Sequence, residues 1–104
     1  MPLSGNLYYS HHPDAGDGTP PLVLIHGAGG MHLYWPPEVR RLRGYNVYAV
    51  DLPGHGKSET IDGQQTIGDY ARYLVQWLES VQLRRAVLVG HSMGSAIADN
   101  CKFG

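Results

Sequence analysis

The pentapeptide Gly90-His91-Ser92-Met93-Gly94 carries the strongest chemical signal in the chain. It has the pattern G-x-S-x-G and follows directly on the apolar run Ala86-Val87-Leu88-Val89. A serine on a sharp strand-to-helix turn presents its hydroxyl above the sheet, where it can attack a carbonyl carbon. Such a turn leaves no space for neighbouring Cβ atoms, which accounts for Gly90 and Gly94. A helix beginning at Ser92 places unpaired backbone N–H groups and a positive dipole end beside the hydroxyl. The Met93 N–H can then point at a developing oxyanion.

Two more glycine loops follow apolar runs. His26-Gly27-Ala28-Gly29-Gly30 comes after Leu22-Val23-Leu24-Ile25, and the Ala28 N–H is the candidate second oxyanion donor. Donors of this kind contribute roughly 2.7–4 kcal/mol each in acyl transfer. Asp51-Leu52-Pro53-Gly54-His55-Gly56-Lys57-Ser58 comes after Asn46 to Val50. Its Gly56-Lys57-Ser58 looks like the end of a phosphate-binding loop. That motif needs a glycine where Asp51 stands, so nucleotide triphosphate chemistry is excluded and the loop reads as a brace. Gly27-Ala28-Gly29 with Asp51 about twenty residues further on is a partial dinucleotide fingerprint. Its third glycine falls on His32, and Pro36 and Pro37 interrupt the helix it requires. Dinucleotide binding is therefore the weaker alternative.

The elements that must position these loops alternate along the chain. Strands are expected near 21–26, 46–51 and 86–90, because continuous apolar runs suit strands buried on both faces. Leu7-Tyr8-Tyr9 is a short β-prone stretch ahead of them. Helices are expected near 66–82 and 92–101. In the first, Ile67, Tyr70, Ala71, Leu74, Trp77, Leu78 and Val81 form one apolar stripe. Thr66 and Asp69 stand at capping-box spacing before it. Trp35 to Leu42 reads as a further short helix, with Pro36 and Pro37 in its first turn. This order predicts an α/β fold, a parallel sheet with flanking helices.

Composition narrows the function classes. A formal net charge of −1 with no basic stripe argues against a nucleic-acid partner. The 104 residues amount to one small domain or part of a larger one. The single cysteine, Cys101, cannot form an intramolecular disulfide. The N-terminus lacks the basic and apolar regions of a signal peptide, and no apolar run approaches a membrane span, so a cytoplasmic location is expected. No histidine pair has metal-ligand spacing, so neither metal nor cofactor is expected.

Together the three loops, in this order, resemble the α/β-hydrolase superfamily over roughly Leu7 to Ala98. The resemblance implies Ser92 as nucleophile, with the backbone N–H groups of Ala28 and Met93 as the oxyanion hole. It gives supporting places to His26, Gly27, Gly90, His91, Gly94 and Asp51. It implies a serine hydrolase acting on a small ester-type substrate through an acyl-serine intermediate. In the family the acid and histidine follow the serine. They would therefore fall beyond Gly104, leaving a partial fold with its C-terminal half absent and a single incomplete domain over 1–104. Such a chain is expected to be nearly inactive alone, and a non-catalytic or complementing piece is the alternative. Ala86 to Val89 would form an exposed edge open to self-association. Among possible stand-in bases, His26 is expected to hold its loop by hydrogen bonding and His91 to help the turn pack. His55 belongs to the brace, while His11, His12 and His32 read as solvated loop residues. Cys101 reads as an inert helix residue touching the sheet.

Overall fold

A computed structural model describes residues 3–4, 7–15, 19–53, 55, 56, 58, 66–83 and 85–101. The described strands are β1 (Leu3–Ser4), β2 (Leu7–His12), β3 (Leu22–Ile25), β4 (Val47–Val50) and β5 (Val87–Gly90). The helices are α1 (Pro37–Arg40), α2 (Ile67–Ser80) and α3 (Met93–Asn100), with a 3-10 turn at His32–Tyr34. The sheet order is β1-β2-β4-β3-β5.

β3 pairs in parallel with both β4 and β5, and the register fixes the site. Ile25 stands opposite Val50 on one side and Gly90 on the other. The three glycine loops therefore leave the sheet at one level, on neighbouring strands spaced about 4.8 Å apart. The sheet is not wholly parallel. β2 runs antiparallel to β4, with Tyr9 opposite Val50 and His12 opposite Val47, and β1 is antiparallel to β2. His11 and His12 thus lie in a strand and not in a loop. The His11 ring stacks on Tyr48 at 4.1 Å, which supplies the apolar contact that a solvated loop would lack.

Period-2 alternation divides the sheet into two faces. Val23, Ile25 and Val50 pack under α2 and α3 together with Leu52, Ala71, Leu74, Trp77, Leu78 and Ile97. Leu24, Val47 and Ala49 face the other way, beneath Trp35 and Val39. The expected helix from Trp35 to Leu42 shrinks to the four residues of α1. Pro36 serves as its N-cap and Pro37 as its first residue, and the backbone turns out of helical geometry at Arg41, with φ −121° and ψ 39°. β5 is the last described strand on its side, and its Val87 is 48 % exposed.

α2 begins as the sequence implies. The Thr66 hydroxyl accepts from the Asp69 N–H, and the Asp69 carboxylate accepts from the Thr66 N–H, each at 3.0 Å. Two of the orphan N–H groups at the helix start are satisfied in this way. Its buried face centres on Trp77, whose ring meets Tyr9 edge-on at 5.2 Å and Tyr48 at 5.7 Å. Cys101 caps the end of α3, its thiol lies 3.8 Å from the Ala71 carbonyl of α2, and its side chain packs against the core cluster that includes Val23 and Ile25. Burial pushes its pKa up to about 11, which suppresses the thiolate.

The Trp77 indole N–H is buried without an acceptor among the described residues. Trp77→Ala is expected to cost about 3–5 kcal/mol through the cavity it leaves. Trp77→Phe should cost much less, because it removes no hydrogen bond and retains an aromatic ring. Urea unfolding of the two variants checks the difference.

Candidate active site

The turn from β5 into α3 is built on glycine by steric necessity. A Cβ on Gly94 would collide with the Ile25 and His26 carbonyl oxygens, and one on Gly90 would collide with the Gly94 backbone. The first turn of α3 therefore sits directly on the end of β3. Ser92, between the two glycines, takes φ 57° and ψ −118°. Positive φ is uncommon for a residue other than glycine and carries a local cost of about 1–3 kcal/mol. Ser92 is exposed at this turn, and its side chain accepts no helix-capping hydrogen bond.

The loop after β3 lies against the same serine. A Cβ on Gly27 would sit 3.2 Å from the Ser92 Cβ and 3.7 Å from its Oγ. The Gly30 N–H donates to the Gly27 carbonyl at 3.0 Å and closes this loop. Ala28 is exposed at its tip. Among the described residues, neither the Ala28 N–H nor the Met93 N–H has an acceptor. The Gly94 N–H donates to the His91 carbonyl at 2.9 Å, so the α3 start is otherwise satisfied. No helix begins on the Gly27 loop; the 3-10 turn at His32 follows it, so the helix needed for dinucleotide binding is not formed there.

His26 is fully buried beneath the loop. Its Nδ1 lies 2.7 Å from the Gly27 carbonyl, and its Nε2 accepts from the Leu52 N–H at 3.1 Å. A carbonyl can only accept and an amide N–H can only donate, so the ring is neutral with its proton on Nδ1. Burial is the main cause of its lowered pKa, partly opposed by the Gly27 carbonyl and by Asp51. Both ring nitrogens are engaged, which leaves His26 tying together two loops.

Asp51 is fully buried at the end of β4. Its Oδ1 accepts from the His32 backbone N–H at 2.5 Å and lies 2.8 Å from the His32 Nδ1. This pairing corrects the expectation for His32, which is 6 % exposed and not a solvated loop residue. The carboxylate draws both its backbone and its ring inward. Ser58 completes the brace: its hydroxyl donates to the Asp51 carbonyl at 2.5 Å and accepts from the Tyr8 N–H at 2.8 Å. Gly54 and Lys57 of the brace loop, and residues 102–104 of the tail, lie outside the described residues.

His91 is exposed beside Ser92, and its Nε2 lies 3.2 Å from the Tyr34 hydroxyl. Sequence reasoning gave Tyr34 no role. The two residues are 57 positions apart, and no local spacing signals their contact. All six histidines are among the described residues, and none hydrogen-bonds the Ser92 hydroxyl. No group of three or more potential metal ligands occurs among the described residues. No described helix is long and apolar enough to cross a membrane.

The model of the alpha/beta hydrolase family matches residues 22–100, which include all three loops. The chain belongs to the alpha/beta hydrolase family. It is 35% identical over 98 residues to an (E)-2-((N-methylformamido)methylene)succinate hydrolase of Acinetobacter baylyi, covering 93% of this chain and 36% of that protein. It is 41% identical over 96 residues to a 2-hydroxy-6-oxononadienedioate/2-hydroxy-6-oxononatrienedioate hydrolase of Burkholderia vietnamiensis, covering 85% of this chain and 33% of that one. Among solved structures, it superposes with a TM-score of 0.78 on a thermophilic esterase from Thermogutta terrifontis at 29% identity. That match covers 88% of this chain and 33% of the esterase. The chain thus spans about a third of the length of the relatives it matches. It forms a partial α/β-hydrolase fold.

Two outcomes test this construction. Gly94→Ala is expected to destabilise the protein by several kcal/mol, about the upper range for single substitutions, because the clash is with backbone; thermal unfolding measures it. His26 sets a pH dependence. Its folded pKa lies below the unfolded value of about 6.5, so the unfolded state takes up the proton first. Its contribution is complete above that value and is lost as pH falls through the folded pKa. Between about pH 7 and pH 5, the denaturant midpoint should fall further in the native sequence than in His26→Gln.

Proposed function

We propose that the chain carries the nucleophile and oxyanion-binding half of a serine hydrolase site, acting on carboxylic esters. The observation that supports this most is the exposed Ser92 at positive φ, with the Gly27 backbone packed against it and, among the described residues, no acceptor for the Ala28 and Met93 N–H groups. In this reading the Ser92 Oγ attacks the ester carbonyl carbon and loses its proton to a base. The Ala28 and Met93 N–H groups receive the charge that develops on the carbonyl oxygen. Collapse expels the alcohol, which takes up the proton and leaves an acyl-serine. Water attacks that ester in turn, releasing the acid and restoring the hydroxyl.

In this reading none of the six histidines serves as the base: His11 and His12 stand opposite Tyr48 and Val47, toward the amino end of β4 and away from Ser92. His26 has both nitrogens engaged, and His32 is turned toward Asp51. The His91 Nε2 meets Tyr34, and the His55 Nδ1 meets the Pro53 carbonyl. In this family, acid and histidine come after the serine in chain order. The 104 residues taken alone therefore hold the nucleophile without its activating partner. Loss of triad members leaves roughly 10³–10⁴-fold acceleration over water from binding and the oxyanion hole.

The ester class follows from this chemistry and from the likeness to an esterase. The neighbouring likeness to hydrolases of other bonds keeps Ser92, and not the acyl group, as the centre of the proposal. On p-nitrophenyl acetate, the 104-residue chain should release p-nitrophenol slowly and without a burst, and Ser92→Ala should abolish that release. A fluorophosphonate probe should attach to Ser92 only slowly, at the rate of a hydroxyl without an adjacent base, and the adduct should be lost in Ser92→Ala. A burst that survives Ser92→Ala, or a probe adduct mapped to another residue, overturns the reading.

A further inference from the structure

The 3-10 turn at His32–Tyr34 is pinned on both sides. On one side, the His32 backbone and ring bind the buried Asp51 carboxylate. On the other, Trp35 packs against the core of Leu24, Val47 and Ala49, and its carbonyl accepts from the Arg40 Nε at 2.7 Å. The Tyr34 N–H also donates to the Met31 carbonyl at 2.8 Å. Tyr34 is nonetheless 49 % exposed, a large aromatic side chain held at the surface by a rigid base.

From that base it reaches one partner in the other candidate loop. The Tyr34 and His91 rings stack with centroids 4.9 Å apart and planes 28° from parallel. The Tyr34 hydroxyl lies 3.2 Å from the His91 Nε2. His91 immediately precedes Ser92, and its carbonyl accepts from the Gly94 N–H. Tyr34 follows the loop that carries Ala28. The contact is therefore a side-chain bridge between the segment after the Ala28 loop and the turn that carries Ser92 and Met93, supplementing the backbone contact of Gly94 with β3.

We infer that Tyr34 is a positioning residue: through the His91 imidazole it sets the spacing between the Ala28 loop and the turn at Ser92. The inference rests on the reading of Ser92 as nucleophile, because spacing matters only if both N–H groups serve one oxyanion. Neither ring need touch the reacting atoms. Tyr34 acts through His91, and the two substitutions should not add.

The test uses the 104-residue chain in four variants, Tyr34→Phe, Tyr34→Ala, His91→Ala and the double substitution of Tyr34→Phe with His91→Ala, with Tyr45→Phe as a surface control. Tyr34→Phe keeps the ring and removes the hydroxyl. It should shift the His91 Nε2 resonance and move the Ala28 and Met93 amide resonances, while Tyr45→Phe moves none of them. The double variant should displace those amides no further than His91→Ala alone. Fluorophosphonate labelling should slow by about threefold to tenfold in Tyr34→Phe, the range for one hydrogen bond, through the bond-forming step and not through probe affinity. The conservative Tyr34→Phe should retain more rate than Tyr34→Ala. Unmoved amides, additive shifts, or an unchanged labelling rate in Tyr34→Phe overturns the inference. Labelling that persists in Ser92→Ala defeats the nucleophile reading instead, and the amide shifts then report on the bridge by themselves.

Discussion

The first turn of α3 rests on the carbonyl end of β3, and one absent methyl group permits it. Gly94 meets the Ile25 and His26 carbonyls where any Cβ would collide. The contact fixes the height of α3 above the sheet and forces the chain through the sharp reversal at Ser92. Gly90 makes room for the same reversal from the strand side. Shared register then does the rest: Val50, Ile25 and Gly90 stand abreast, so three loops from distant parts of the chain meet.

Around that contact lies a layer of buried polar groups that ties the loops to one another. His26 joins the Gly27 loop to Leu52, and Asp51 joins β4 to His32. Ser58 returns the brace loop to Tyr8 on β2. His26, His32, Asp51 and Ser58 each have a partner, which is the condition for placing such groups inside a domain at tolerable cost. The loops are thus tied down where they leave the sheet, while Ala28, Gly29, His91 and Ser92 are exposed.

Much of this was legible in the residues. Leu22 to Ile25 and Val47 to Val50 announce themselves because burial on both faces demands unbroken apolar runs. Thr66 and Asp69 mark the start of α2 because the capping box is local chemistry. Gly90 and Gly94 frame Ser92 for a steric reason that sequence spacing already conveys. Other features depend on partners far along the chain. His32 looks like a loop residue until Asp51 is brought beside it. His11 and His12 carry no strand signature, and the antiparallel direction of β2 follows from its pairing with β4 and not from its own residues. Tyr34 was invisible for the same reason, since its partner is set by sheet register. The helix expected from Trp35 to Leu42 failed because two prolines allow a helical start without supplying the packing to continue it.

The backbone angle at position 92 also limits which side chains can stand there. A branched β-carbon is poorly tolerated at positive φ, so threonine, the other aliphatic alcohol among the coded residues, is disfavoured by geometry before its reactivity is considered. Serine and cysteine, unbranched at that carbon, fit the same bend. Substitution at this point of the chain is thus filtered first by shape, and a sulfur atom is an easier replacement for the oxygen than an added methyl group.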